Sequence, residues 1–200
     1  GGPAIVDLLT GAVSPSGKLP VTFPRVLGQV PIYYAHKMTG RPIDPKDPHD
    51  KYKSQYLDVA NTPAFPFGFG LSYTTFQYSN PRVASPALAP DGEERITITL
   101  TNAGLREGTE VVQLYVRDVA GSVTRPVREL KGFQRVALKA GESRDILFTL
   151  KPADLAFHHA DLRFAPEPGN FEVFVGGDSD APKIGEFNYV ENGNGSNTGR

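Results

Sequence analysis

The sequence predicts a mainly β protein: an antiparallel β-sandwich, preceded by half of an α/β unit and a long aromatic linker. From residue 76 onward, short runs alternate apolar and polar residues with turn residues between them. Between residues 28 and 75, prolines and tyrosines accumulate with neither helical nor strand periodicity. Residues 1–27 hold one helical stripe and one strand-like run.

Within 1–27, Ala4, Ile5, Leu8 and Leu9 form an apolar stripe, Pro3 suits a first helical turn and Gly11 a helix end. A turn, "SPSG", leads into the strand-like "KLPVTF". A helix with one strand cannot bury both its faces, so the pair calls for a further layer. The chain starts at Gly1 and Gly2 directly before that helix, and its single methionine is Met38. The expectation is an excised or incomplete polypeptide.

Residues 28–75 carry Pro31, Pro42, Pro45, Pro48, Pro63 and Pro66 and are too long for an ordinary connection. Tyr33, Tyr34, Tyr52, Tyr56 and Tyr73 point to an extended strap lying on a larger body, because disordered linkers are poor in aromatics. The strap ends in "FPFGFGLSYTTF", residues 65–76, where Pro66, Gly68 and Gly70 oppose a helix. Phe65, Phe67 and Phe69 alternate, while the glycines leave the other side bare and permit close backbone approach.

Residues 76–190 read as the sandwich. "RITITLTN" sets Ile96, Ile98 and Leu100 on one face, and "EVVQLYVRD" sets Val112, Leu114 and Val116 inward. "DILFTL" does the same with Ile146, Phe148 and Leu150, and "NFEVFVG" with Phe171, Val173 and Val175. Turns fall between them at "PDGE", "NAGLREG", "KAGES" and "EPGN", the pattern of an antiparallel sandwich. Residues 191–200, polar and glycine-rich, are expected to form a disordered tail.

The totals narrow the partners. Acidic and basic residues number 22 and 21, so no charge excess points to nucleic acid or an anionic membrane. With no cysteine, disulfides and thiolate metal sites are excluded. No run approaches the ~18 apolar residues of a membrane-spanning helix, and no signal peptide is visible.

Catalytic chemistry is hard to place. Asp91, Glu93, Glu94, Glu107, Glu110, Glu142 and Asp145 fall in turns or at strand ends, where solvation is expected. Asp44, Asp47, Asp50 and Asp58 lie in the strap. Of His36, His49, His158 and His159, the last two are adjacent, so on a strand they face opposite ways and cannot share an ion. Neither a nucleophile elbow nor a phosphate loop is present. The residues alone thus indicate no catalytic group, no metal ligand and no cofactor.

Seven strings in order carry a resemblance: "GGPAIVDLLTG…SPSGKLPVTFP", "GQVPIYY", "TGRP", "FPFGFGLSYTTF", "TNAGLREGTEVVQLYV", "RPVRELKGF" and "EPGNFEVFVG". Together they resemble the C-terminal portion of a glycoside hydrolase family three enzyme of the bacterial periplasmic β-glucosidase type. The resemblance implies a fibronectin type III-like sandwich at 76–190, an interdomain strap at 28–75, and the end of an α/β sandwich domain at 1–27. It also implies retaining hydrolysis of terminal non-reducing β-D-glucosyl residues of β-glucosides and cello-oligosaccharides. Both catalytic carboxylates belong to family motifs that map onto no position of this chain, so the segment is expected to be inactive alone. The implied partners are upstream catalytic domains and a β-glucoside substrate, and the implied location is periplasmic or secreted.

One binding expectation is attached to "KYKSQYLD": Tyr52, Gln55, Tyr56 and Asp58 mix polar and aromatic groups on a strap that would line the outer substrate cleft. The alternative is a stand-alone carbohydrate-binding or adhesion sandwich, which would expose aromatics on one sheet face, with Tyr115 and Phe174 as candidates.

Overall fold

The structure, a computed structural model, describes residues 1–43 and 50–191. Asp44, Asp47, His49 and the tail from residue 192 lie outside the described residues.

Among the described residues ten strands follow in chain order: β1 Phe76–Val83, β2 Ala87–Leu88, β3 Glu94–Asn102, β4 Gly108–Asp118 and β5 Glu129–Leu138, then β6 Ser143–Leu150, β7 Phe157–His158, β8 Phe164–Ala165, β9 Gly169–Gly176 and β10 Lys183–Tyr189. They form a three-stranded sheet, β1-β3-β6, a five-stranded sheet, β2-β10-β9-β4-β5, and a small β7-β8 ribbon. Pairing is antiparallel except where the short β2 runs parallel to β10.

Alternation builds the core between the two sheets. In the smaller sheet Ile96 opposes Phe148 and Ile98 opposes Ile146, and all four are buried. Facing them from the larger sheet are Val112, Leu114 and Val116 of β4 and Phe171, Val173 and Val175 of β9. The expected inward residues of these four strands are therefore the core. Two strands that carry no clear signal, β5 and β10, complete the larger sheet. In β5 only Val136 and Leu138 are buried. In β10, Phe187 stacks on Phe171 with ring centroids 5.6 Å apart.

Two carboxylates depart from the expected solvation. Counting back by twos from Ile96 places Glu94 on the core face, where it is 0 % exposed and Oε1 accepts from the Ser85 amide at 3.0 Å. Glu110, two before Val112, is also buried and pairs with Lys18 Nζ at 2.7 Å. Strand parity, not nearness to a strand end, decides burial here. Asp91, Glu93, Glu107 and Asp145 are exposed and Glu142 is half-buried. His158 is exposed and His159 buried, on opposite sides as their adjacency requires.

At the start, helix α1, Gly2–Leu9, has Pro in its first turn, and Gly11 follows it with φ +74°. None of its residues is buried, and Ile5, Val6 and Leu9 stand exposed. The run "KLPVTF" does not become a sheet strand. Leu19 N donates to Phe69 O and Gly68 N to Leu19 O, both at 2.8 Å, and Phe23 N donates to Phe65 O at 2.9 Å. Between these points Pro20 and Pro66 have no N–H to give, so the pairing stays at one isolated bridge, Phe23 with Phe65.

Candidate functional site

The strap binds the outer face of the five-stranded sheet. Tyr115 of β4 and Phe174 of β9 are direct cross-strand partners there, pointing away from the core. The exposure that a stand-alone binding module would require of them is not met: they are 0 % and 7 % exposed. Tyr34 meets Tyr115 edge-on, with centroids 5.6 Å apart, and stacks on Phe67 at 4.6 Å. The Arg128 guanidinium lies 4.3 Å over the Phe174 ring, a cation–π contact.

A polar seal fixes this aromatic layer. The Tyr115 hydroxyl donates to Gln113 Oε1 at 2.5 Å, and Gln113 Nε2 donates to Gly177 O at 2.5 Å and Gly68 O at 3.2 Å. Burial pushes the Tyr115 phenol far up, so it remains a donor at physiological pH. Ser179 N donates to Phe67 O at 2.8 Å. Gly68 has φ +80°, and a Cβ there would overlap the Gln113 side chain; a Cβ on Gly70 would overlap the Gly17 carbonyl. Both glycines of "FGFG" are thus points of close approach, one against the sandwich and one against the N-terminal segment.

Beyond Phe67 the clamp grips that segment. Phe65 and Phe69 pack at 5.0 Å, and the Tyr73 hydroxyl donates to Leu8 O at 2.7 Å. Ser72 and Ser14 share a hydroxyl–hydroxyl bond of 3.0 Å. An open apolar groove of about 680 Å³ remains, walled by Leu8, Val13, Leu19, Phe23, Phe65 and Phe69 among others. A contiguous apolar surface of this kind is characteristic of an interaction face.

The four strap residues singled out for binding share one loop but do not converge. Tyr52, Tyr56 and Asp58 are exposed, and Lys51 Nζ lies 4.9 Å over the Tyr52 ring. Gln55 is half-buried and its Nε2 donates to Asp50 O at 3.0 Å, so its carboxamide holds the loop's own backbone. Asn61 closes the loop, accepting from Tyr56 N at 3.0 Å and donating to Ser54 O at 2.8 Å. Asp50 caps the Tyr52 amide at 3.0 Å. Among the described residues no cluster of three or more His, Asp or Glu side chains could hold a metal ion. No described helix is long and apolar enough to cross a membrane.

Gln113 and Tyr34, which fasten the strap to the sheet, and Arg128, which covers Phe174, were not foreseen from sequence. The available signal was Gln113, a carboxamide in the middle of an otherwise apolar run.

Fold and clamp together define a fibronectin type III-like sandwich fastened by an aromatic strap to a preceding segment that keeps an open apolar face. Residues 110–179 match the fibronectin type III-like domain, and residues 1–73 match the glycosyl hydrolase family 3 C-terminal domain. The periplasmic beta-glucosidase of Salmonella typhimurium is 48% identical over 190 residues, 95% of this chain and 25% of that protein. A beta-xylosidase of Formosa agariphila is 42% identical over 92% of this chain and 24% of its own length. Among solved structures, a beta-glucosidase from Listeria innocua in complex with glucose superposes with TM-score 0.88 at 40% identity, over 92% of this chain and 26% of that one. The chain belongs to glycosyl hydrolase family 3, corresponding to the C-terminal portion of its β-glucosidases. It spans about a quarter of the length of the curated relatives it matches.

Proposed function

We propose that this chain serves a retaining β-glucosidase that removes terminal non-reducing β-D-glucosyl units from β-glucosides and cello-oligosaccharides. Its own part is to brace the catalytic domains. The observation that carries the reading is the 48% identity to the Salmonella enzyme across 95% of the chain. The bracing role is supported by the groove walled by Leu19, Phe23, Phe65 and Phe69, which offers apolar surface to upstream domains. Those domains supply the nucleophile and the acid/base carboxyl, which a retaining mechanism sets about 5–5.5 Å apart. The exposed loop with Tyr52, Tyr56 and Asp58 borders the outer, aglycone side of the cleft, with Gln55 holding its shape. The name of the same relative supports a periplasmic location.

The test compares the complete enzyme with the 200-residue chain on aryl β-glucosides and aryl β-xylosides. Turnover of the glucoside by the complete enzyme and none by the chain is expected. Turnover by the chain alone overturns the bracing role, and a preference for xyloside overturns the sugar assignment. No observation favours a stand-alone carbohydrate-binding module, because its candidate platform, Tyr115 and Phe174, lies beneath the strap.

A further inference from the structure

Thr22 is 7 % exposed, and its hydroxyl, itself closed to solvent, has no hydrogen-bond partner among the described residues. It lines a recess of about 160 Å³ where the N-terminal segment, the strap and two loops of the sandwich meet. Arg128 and Asp180 line the same recess, with Tyr33, His36 and Asn61 exposed around it.

The charges are arranged without pairing. Arg128 Nη1 donates to the carbonyls of Ser179 and Ala181, the latter at 3.1 Å. Its Nη2 and Nε have no partner among the described residues, although a guanidinium carries five donors. No ion pair joins Arg128 to Asp180 within 4.0 Å among the described residues. Burial and the neighbouring Asp178 push the Asp180 carboxyl up, and Arg128 draws it back.

This lining selects among ligand classes. A simple anion meets the repulsion of Asp178 and Asp180, and a simple cation meets Arg128. An apolar guest would cover the Arg128 donors and pair none of them. A neutral hydroxylated molecule can accept from the guanidinium and donate to the carboxylate at once. The exposed Tyr33 ring offers a flat apolar surface for its C–H face. The recess lies below the ~300–1,000 Å³ typical of drug-sized pockets, which limits the guest to a small molecule.

We propose that this recess is a binding site for a neutral polyol no larger than a monosaccharide, with Arg128 donating to, and Asp180 accepting from, its hydroxyls, and the Tyr33 ring against its C–H face. Such a ligand would tie strap and sandwich together and stabilise their junction by mass action. The site does not depend on the enzymatic reading, because its readout is binding to the 200-residue chain rather than hydrolysis.

The experiment is a titration of that chain with D-glucose and glycerol, followed by amide NMR shifts at Thr22, Tyr33, Arg128 and Asp180. Parallel titrations use glycine as a zwitterion and inorganic phosphate as an anion. Saturable shifts with a polyol, at half-saturation in the millimolar range, are expected at these residues. Tyr33→Ala and Asp180→Asn should each weaken binding about tenfold, the size of one lost ring contact or hydrogen bond. Thermal melts establish that each variant is folded. Shifts that stay linear with polyol concentration leave the recess merely hydrated and overturn the proposal. So does tighter binding of glycine or phosphate, or unchanged affinity in both folded variants.

Discussion

The carboxamide of Gln113 occupies the space that a side chain on residue 68 would need, and Gly68 answers with a bare α-carbon at φ +80°. The same carboxamide accepts the Tyr115 hydroxyl and donates to the Gly68 and Gly177 carbonyls. One side chain therefore joins the clamp, the outer aromatic layer and the β9–β10 loop.

This contact predicts coupled stability effects. Gly68→Ala should cost about 1–3 kcal/mol from the left-handed backbone alone, with the steric overlap added. Gln113→Ala should cost about 1–3 kcal/mol for each polar group left buried and unpaired. Because Gln113→Ala also clears the space, the double variant should lose less than the sum. Urea unfolding of the four proteins measures this, and strictly additive losses would remove Gln113 as the reason for the glycine.

The sandwich core should behave independently of the strap. Ile98 is 3 % exposed and opposes Ile146 across β3 and β6, so Ile98→Ala should cost about 2–5 kcal/mol. Its effect should add to that of Gly68→Ala, since the two lie on opposite faces of the larger sheet. Non-additivity in the same urea series would show the two layers to be one cooperative unit.

Asp118 should make stability pH-dependent. Burial pushes its carboxyl above the usual aspartate range, with Arg125 3.5 Å away opposing the shift. The folded state then holds a proton more tightly than the unfolded one. The contribution is fully present below the ordinary aspartate value of about 3.9 and is lost as pH rises through the raised value. The stability of the wild type relative to Asp118→Asn should therefore fall between acidic and neutral pH. A rising difference, from denaturant melts at successive pH values, would reverse the sign and refute the assignment.

In the complete enzyme, Tyr56→Ala should raise KM for disaccharides while leaving kcat on an aryl glucoside and the melting temperature unchanged. Gln55→Ala should raise KM and also loosen the loop, because its Nε2 holds the Asp50 carbonyl. Steady-state kinetics on cellobiose with both variants tests this, and unchanged kinetics would detach the loop from the cleft.

Much of the fold was legible in the chain. Period-two alternation marked the inward residues of β3, β4, β6 and β9, because a strand sends successive side chains to opposite faces whatever surrounds it. The strand β5 escaped because a sheet-edge strand buries only Val136 and Leu138, too few to show a pattern. The candidate loop was legible only as composition: Tyr52, Gln55, Tyr56 and Asp58 are neighbours in sequence, yet Gln55 turns inward to its own backbone.

The sequence by itself determined where β3, β4, β6, β9 and the clamp would form, since alternation and missing side chains act within a few residues. It could not say what covers the outward side of β4. Gln113 and Tyr115 look solvent-facing by parity, but Gly68, 45 residues away in the chain, and Tyr34 are laid over them. Only the tertiary structure decided that, because whether an outward face meets water or another stretch of chain depends on contacts between distant segments, which no local pattern records.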